Sequence, residues 1–180
     1  MGLDAFEYQC GHGVRLAETK ARKMAALAAE KGVVFSVHAP YYISMASPDE
    51  EKRLGSIRYL LQSCAVCRAL GGRRVVFHPG SCGKMSRADA LARASDTLRR
   101  ALEALDRAGY ADMTLCPETM GKLGQLGDLD EVLALCSLDA RLVPCIDFGH
   151  LNARSLGGIA GKADYAAILD RMGEALGDER

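Results

Sequence analysis

The stretch RRVVFHPGS, residues 73–81, decides the fold class because a run of β-forming residues ends there in a histidine and a turn. Residues 75–77 are all apolar, which is typical of a parallel strand that is buried on both faces. Gly71 and Gly72 end a helical segment before this strand, and Ser86 is placed to cap another helix after it. A strand between two helices is the repeating unit of a parallel α/β sheet.

The same unit recurs on both sides of this stretch. Strands are predicted at Ala5–Gln9, Val33–His38, Arg74–His78, Met113–Glu118 and Leu142–Asp147. Helices are predicted at 15–31, at 47–71 with Ser47 as the cap, at 86–109, from Asp128 or Asp130 onward, and at 165–176. The alternation predicts an α/β protein with about five β/α units in one domain, residues 1–180. A closed (β/α)₈ barrel takes about 250 residues, so this pattern fits either an open sheet or a partial TIM barrel.

Charge and composition exclude several classes of protein. The chain has 23 basic and 23 acidic side chains, so no overall charge draws it toward nucleic acid, and DNA binding would need a local basic surface or bound cations. No apolar run is long enough to span a membrane, and the start MGLDAFEYQC lacks the features of a signal peptide. We therefore expect a cytoplasmic protein that has no membrane partner.

The cysteines predict reduced thiols and no disulfide framework. Their number, seven, is odd, and they are scattered through apolar segments. Cys64 and Cys67 form a C-x-x-C pair in the middle of a predicted helix, with no second pair at a spacing that would complete a metal site. We interpret this pair as core packing.

Metal-ligand residue types follow four consecutive predicted strands. His38, His78 and Glu118 end the second, third and fourth strands, and Asp147 and His150 come at the end of the fifth. Successive members of the first three are 40 residues apart, about one β/α unit, and the carboxyl ends of parallel strands meet at one rim. A single strand-end histidine usually only completes a hydrogen bond. Imidazoles and carboxylates from four strands together favour a divalent ion, Zn²⁺ or alternatively Mn²⁺ or Fe²⁺.

Other side chains on this rim are weaker candidates. Tyr41 and Tyr42 follow the second strand, where an aromatic ring could stack on a base, although packing explains Tyr42 at least as well. Lys84 and Arg87 follow the third strand and are candidates for phosphate contacts. His12 lies between two glycines after the first strand, a position more typical of a solvated loop.

At these strand ends the sequence resembles endonuclease IV, the zinc-dependent apurinic/apyrimidinic endonuclease family. The matching segments are VHAPYYISMAS (37–47), VVFHPGS (75–81), CPETMGKLGQLG (116–127) and CIDFGHLNAR (145–154). Each motif alone is weak, but together, in this order and register, they are specific. The resemblance implies a TIM barrel that binds double-stranded DNA with abasic sites, and the match to Tyr41 implies an aromatic contact with the distorted duplex.

The resemblance also implies a set of ligands and a reaction. In the family, residues matching His38, His78 and Glu118 hold one metal ion. The residue matching Glu118 bridges to a second ion, which the match to Asp147 also holds, and the match to His150 serves a third. Glu118 is thereby the candidate catalytic residue. The implied reaction, part of base excision repair, is metal-assisted hydrolysis of the DNA phosphodiester 5′ to an abasic site.

Part of the family's pattern has no match in this sequence. The family's later ligands, a histidine, an Asp-x-His pair and a glutamate, are missing, and no histidine follows His150. We therefore expect about one complete metal site and little or no nuclease activity from these residues unless another chain completes the barrel. An open barrel edge would expose apolar surface, which predicts self-association.

Two alternatives to a nuclease stay open. A sugar or keto-acid isomerase on a related barrel would use similar ligands to polarise an α-hydroxy carbonyl, although HAPYY (38–42) and FHPGS (77–81) argue against it. A catalytically inactive fragment or binding domain is the other, and the missing ligands favour it for this polypeptide.

Overall fold

The computed structural model describes residues 2–177, which contain one parallel sheet and the helices that connect and follow its strands. The strands are β1 (Ala5–Gln9), β2 (Val34–His38), β3 (Arg74–Phe77) and β4 (Thr114–Pro117). The helices are α1 (Glu18–Glu30), α2 (Glu50–Ala69), α3 (Arg87–Arg107), α4 (Leu129–Cys136), α5 (Phe148–Arg154) and α6 (Lys162–Leu176). The predicted α/β class is confirmed.

The sheet has the order β1-β2-β3-β4, and all its pairs are parallel. Spatial order follows chain order because each helix returns the chain to the start of the neighbouring strand. The register aligns His38 with Val76 and Val76 with Cys116, so the strands end at one edge of the sheet. That edge carries the residues that the sequence singled out.

The core lies between the sheet and the helices that cover it. Val37, Val75, Phe77 and Leu115 are fully buried strand residues and belong to one apolar cluster with residues of α2 and α3. In α3 the buried positions are Ala90, Ala94, Thr97, Leu98, Ala101, Leu102 and Leu105, which is the spacing of an amphipathic helix. The rim residues are therefore held by a well-packed layer beneath them.

Helix starts agree with the predicted caps at two places and differ at one. The Ser86 side chain accepts a hydrogen bond from the Asp89 amide, and Asp128 caps α4 in a reciprocal arrangement with Glu131. At α2 the cap is Asp49 and not Ser47, because Asp49 accepts from the Glu51 amide. The Ser47 hydroxyl instead accepts from the Asp49 amide and forms the turn that precedes the helix.

The predicted fifth strand is not continuous. The Val143 amide donates to the Leu115 carbonyl at 3.1 Å, and the Cys145 amide donates to the Pro117 carbonyl at 3.0 Å, so this segment pairs with β4 in parallel. Between these bonds the ladder needs a donor at residue 117, where proline has no N–H. The segment consequently forms two isolated bridges, and the chain then enters α5, which the sequence pattern did not predict.

The cysteines are free thiols, as predicted for a reduced protein. Cys64 and Cys67 lie fully buried in α2, and burial raises the pKa of each thiol to about 12. They act as core residues, in agreement with the interpretation of the C-x-x-C pair. Within residues 2–177, no helix combines the length and the apolar character needed to cross a membrane.

Candidate metal centre

Three neighbouring strand ends bring His38, His78 and Glu118 into contact. His38 is the last residue of β2, His78 follows β3 directly, and Glu118 follows β4 directly. The Nε2 atoms of His38 and His78 each lie 3.0 Å from Oε2 of Glu118. Two imidazoles therefore converge on a single carboxylate oxygen, which is buried at the rim of the sheet.

A second group forms on the other oxygen of the same carboxylate. Nδ1 of His150 lies 3.5 Å from Oε1 of Glu118 and 3.5 Å from Oδ2 of Asp147. Asp147 is the N-cap of α5, and its Oδ1 accepts a hydrogen bond of 2.7 Å from the His150 amide. The short helix thus presents both side chains toward Glu118.

The structure arranges these five residues as two overlapping sets of three. His38, His78 and Glu118 offer ligand atoms that lie within 4.8 Å of one another, and so do Glu118, Asp147 and His150. The resemblance implied that Asp147 and His150 serve different ions, whereas here they belong to one set. Glu118 is common to both sets.

Hydrogen bonds from outside the two sets fix the ring orientations. Nδ1 of His38 lies 2.8 Å from the Ala39 carbonyl, and Nδ1 of His150 lies 2.8 Å from the Thr119 carbonyl. The Thr119 hydroxyl also accepts from the Asp147 amide at 2.9 Å. The bond at Nδ1 of His38 orients that ring and leaves Nε2, which faces Glu118, free for an ion. The bond at Nδ1 of His150 instead engages the same atom that faces Glu118 and Asp147. Sequence reasoning missed Ala39 and Thr119, whose only signal was their position next to His38 and Glu118.

The charges at the centre suit cation binding. Burial alone would raise the pKa of Glu118, but hydrogen bonds from His38 and His78 lower it to about 2. Burial disfavours the charged form of His38, yet its bonds to Glu118 and Ala39 raise its pKa overall. A metal ion at this centre would therefore compete with protons for the same ligand atoms.

The donor set and its spacing fit a divalent metal ion. Imidazole nitrogens and carboxylate oxygens are ligands for Zn²⁺, Mn²⁺ and Fe²⁺. In a tetrahedral zinc site with bonds of about 2.1 Å, ligand atoms are about 3.4 Å apart. The distances of 3.0 and 3.5 Å between donor atoms are close to that value.

The two candidate DNA-contacting tyrosines occupy different surroundings. The Tyr41 ring lies over the centre, with its centroid 5.5 Å from that of His78 and 5.9 Å from that of His38. The backbone of Gly11 makes room for it, since a Cβ there would lie 3.0 Å from Tyr41 Cε2. Tyr42 packs against Tyr59 of α2 at 5.7 Å. Of the two, Tyr41 is the one that contacts the candidate ligands.

Arg87, which the sequence offered as a candidate phosphate contact, forms several hydrogen bonds within the protein, while 39% of its side chain stays exposed. Its guanidinium donates to both oxygens of Glu131, at 2.7 and 2.6 Å, and to the carbonyls of Leu123 and Gln125. Glu131 is buried and needs a cationic partner, which Arg87 supplies. Arg87 therefore stabilises the loop between β4 and α4.

Arg154 holds the same loop from the other side. It lies in α5, one turn after His150, and its side chain is only 12% exposed. Its Nη1 donates to the carbonyls of Met120, Lys122 and Gln125 at 3.1–3.4 Å. Because this loop begins directly after Glu118, Arg154 fixes the position of α5 relative to that carboxylate.

The parallel β/α wall, with metal-ligand side chains at the carboxyl ends of its strands, defines a barrel-type α/β protein with a candidate metal centre at its rim. The chain belongs to the xylose isomerase-like TIM-barrel family, whose family model matches residues 1–179. This match confirms the partial-barrel architecture predicted from the sequence.

Relatives found by sequence include an uncharacterized protein and proteins named probable endonuclease 4. The chain is 36% identical to an uncharacterized protein of Methanocaldococcus jannaschii over 99% of its own length and 64% of that protein. It is 34% identical to a probable endonuclease 4 of Mycoplasma pneumoniae over 64% of its length and 41% of that protein. These matches span less than two thirds of the relatives' own lengths.

Similar solved structures include an endonuclease IV and an epimerase-like protein. Endonuclease IV from Thermus thermophilus is 26% identical, with a TM-score of 0.74 over 99% of this chain and 64% of that one. A D-tagatose 3-epimerase-like protein has a TM-score of 0.76 at 22% identity, over 94% of this chain and 62% of that one, which shows a shared fold alone. The resemblance to endonuclease IV is thus confirmed.

Replacing Arg154 should weaken the second ligand set selectively. We expect Arg154→Gln to bind an ion at Glu118, Asp147 and His150 about tenfold more weakly, because residues that position ligands typically account for that much affinity. Binding at His38, His78 and Glu118 should not change. Titration of the chelator-treated chain with Co²⁺, followed by absorbance and calorimetry, separates the two events.

Arg171→Gln is the matched control for this change. Arg171 pairs with Asp130 on the exposed surface at 3.1 Å, and such pairs contribute little. Equal weakening of both binding events by Arg154→Gln, or the same reduction in Arg171→Gln, would contradict a positioning role for Arg154.

The metal-free chain should be most stable at mildly acidic pH. Glu118, with its pKa lowered from 4.5 to about 2, contributes stability that is complete above pH 4.5 and is lost as pH falls toward 2. His38, with its pKa raised from 6.5, contributes stability that is complete below pH 6.5 and is lost as pH rises through the raised pKa. Urea unfolding in chelator across this range measures both limbs. Glu118→Gln should flatten the curve on both sides, and an unchanged curve would show that the pair does not form.

Proposed function

We propose that the chain contributes the metal centre of a DNA phosphodiesterase of the endonuclease IV type, which hydrolyses the backbone 5′ to an abasic site. The observation that carries the proposal is the position of Glu118, a buried carboxylate with one oxygen in each of two ligand sets. A carboxylate shared in this way is suited to hold two cations close together. Paired cations are a common solution for phosphodiester hydrolysis because they stabilise both the attacking and the leaving oxygen.

The ligands proposed for the metal ions are the five residues described above. His38, His78 and Glu118 would hold one ion, and Glu118, Asp147 and His150 would hold another. When bound, divalent ions such as zinc lower the pKa of water and neutralise phosphate charge. Glu118, with a pKa of about 2, stays ionised at neutral pH, so it remains a ligand and takes no part as a proton donor.

Other residues of the chain would orient the substrate and exclude water. Tyr41 covers the histidine pair with one side of its ring, while 56% of its surface stays accessible for a sugar or base. The Ala39 carbonyl holds the His38 ring with Nε2 toward Glu118, so little reorganisation is needed when an ion binds there. At His150 an ion would replace the bond between Nδ1 and the Thr119 carbonyl. The names of the relatives called probable endonuclease 4 support DNA as the substrate.

A sugar epimerase is the second candidate. Its support is the close fold match to the D-tagatose 3-epimerase-like protein and to a D-psicose 3-epimerase, which has a TM-score of 0.73. A single ion on His38, His78 and Glu118 could polarise a hydroxy ketone. The overlapping second set on Glu118 has a clearer use in a nuclease, which is why the nuclease is preferred.

Cleavage of a duplex that carries one abasic site tests the proposed function. With Zn²⁺ or Mn²⁺ added, we expect the chain to nick this duplex only slowly, because its sequence has no match to the family's later ligands. Glu118→Gln and His38→Ala should reduce the rate at least about a hundredfold and release metal, since each removes a ligand that the ion needs. Arg171→Gln serves as the control that keeps all ligands.

The outcomes separate the candidates. Metal retained without cleavage, together with epimerisation of D-tagatose, would overturn the nuclease in favour of the epimerase. Metal retained with neither reaction would support a catalytically inactive binding domain. No metal in the parent chain would sink the assignment of this centre.

We also propose that the chain self-associates through its open edges. Phe6 of the edge strand β1 and Val34 of the neighbouring strand β2 are 47% and 65% exposed, and Tyr165 and Leu169 of α6, at the other end, are 44% and 53% exposed. Apolar surface of this kind on both edges favours association with a second copy. Analytical ultracentrifugation should show a dimer or larger species that Val34→Glu weakens. A compact monomer at all concentrations would contradict the idea.

A further inference from the structure

A separate cavity of about 460 Å³ opens on the rim between the loops that follow β2 and β3. It is lined by Ser44, Ser47, Pro48, Lys52, Ser81, Cys82, Gly83, Lys84 and Met85. The two loops are joined closely, because the Met45 amide donates to the Pro79 carbonyl at 3.1 Å. Gly80 adopts a positive φ of 108°, and a Cβ there would lie 2.9 Å from Ser44 Cα. The close contact between these two loops therefore shapes the cavity.

The lining is rich in groups that bind anions. It includes two lysines and three serines, and none of its side chains is a carboxylate. Lys84 makes no ion pair with any residue between 2 and 177, and the nearest carboxylate to Lys52 is Asp49, at 4.0 Å on an exposed surface. Two ammonium groups beside hydroxyl donors form a favourable environment for a phosphate.

Arg53 lies behind the cavity and is paired with Glu50. It lies mostly buried under the 47–48 turn, where its Nη1 donates to the Ser47 carbonyl at 2.6 Å. Its Nε is buried and has no hydrogen-bond partner in the part of the chain that is described. Glu50, an acidic side chain on the same helix turn, is already paired with Arg53 and Arg100.

The position of the cavity relates it to the candidate metal centre. Its lining begins six residues after His38 and three residues after His78, on the same two loops. A ligand that fills the cavity would therefore lie at the same edge of the sheet as a substrate at the metal ions. A nucleic-acid strand carries phosphates at regular intervals, so one phosphate can lie at the centre while a neighbour lies farther along the rim.

We propose that this cavity is a phosphate subsite, in which Lys52 and Lys84 bind a backbone phosphodiester of a polynucleotide next to the one at the metal centre. The phosphate chemistry stands on the cavity itself, and the polynucleotide as its carrier rests on the proposed function. A neutral monosaccharide has no group for this subsite. Binding of phosphate at this subsite would therefore favour a polynucleotide over a neutral monosaccharide as the substrate.

The experiment measures DNA binding separately from cleavage. Fluorescence anisotropy of a labelled duplex with one abasic site, recorded in chelator at several salt concentrations, gives the dissociation constant and its salt dependence. We expect the double variant Lys52→Gln with Lys84→Gln to bind about tenfold more weakly and to lower the salt slope by about one to two, roughly one for each lysine that no longer neutralises a phosphate. Both side chains lie at the surface, so circular dichroism should show an unchanged fold.

A matched variant controls for the removal of two positive charges. Lys31→Gln with Arg107→Gln removes the same charge from exposed positions at the carboxyl-terminal ends of α1 and α3, away from the rim. This variant should bind the duplex like the parent. Equal weakening in both double variants, or none in the first, would overturn the subsite.

Competition identifies the carrier of the phosphate. Inorganic phosphate and ribose 5-phosphate are titrated against the bound duplex in the parent and in the lysine variant. Weak competition by both in the parent, abolished in the variant, supports a subsite for a polymer. Displacement by ribose 5-phosphate far below the concentration of inorganic phosphate required would overturn the polynucleotide assignment in favour of a sugar phosphate.

Cleavage assays on the same preparations keep the two proposals apart. Lysine-dependent binding by a parent chain that does not cleave would contradict the proposed function and leave the phosphate subsite intact. If the parent chain cleaves the duplex and the lysine variant binds it as tightly as the parent does, the proposed function stands and the phosphate subsite is contradicted.

Discussion

The convergence of two imidazoles on one buried carboxylate is the interaction on which this rim depends. Glu118 is only 7% exposed, and an ionised group removed from water needs partners in close contact. His38 and His78 supply them from the two preceding β/α units, so three strand ends are held at one point. The fold has to deliver these side chains with little freedom, and the packed layer of Val37, Val75, Phe77 and Leu115 beneath them provides that rigidity.

Past β4 the arrangement is held by loops and charge instead of a sheet ladder. Pro117 cannot donate to the next segment, so residues 142–147 are attached by separate bridges. Arg87 and Arg154 compensate from opposite sides, since both donate to the Gln125 carbonyl of the loop after Glu118. The half of the centre that contains His150 is therefore held by guanidinium contacts and by the hydrogen bonds of Thr119, whereas the half that contains His38 is held by strand register.

This difference explains which parts of the fold and of the candidate metal centre could be predicted from the sequence. Strand ends were predictable because apolar runs and 40-residue spacing are local signals, and they located His38, His78 and Glu118 correctly at one rim. Helix α5, the discontinuity at Pro117 and the pairing of Arg87 with Glu131 were not predictable, because each depends on a partner distant in the chain. Tyr41 and Tyr42 show the same limit: adjacent in sequence, one packs on the histidines and the other on Tyr59.

The two carboxylate oxygens of Asp147 make different contacts. Its Oδ1 caps α5, while its Oδ2 faces His150 within the second ligand set. A helix of seven residues is too short to be stable by itself, so its order depends on this cap and on the contacts of Arg154. The proposed binding of a cation at Oδ2 would therefore be thermodynamically linked to the formation of α5 through a single side chain. An ion bound there would favour the helical state of α5, so the helix content of this segment would report whether the ion is bound.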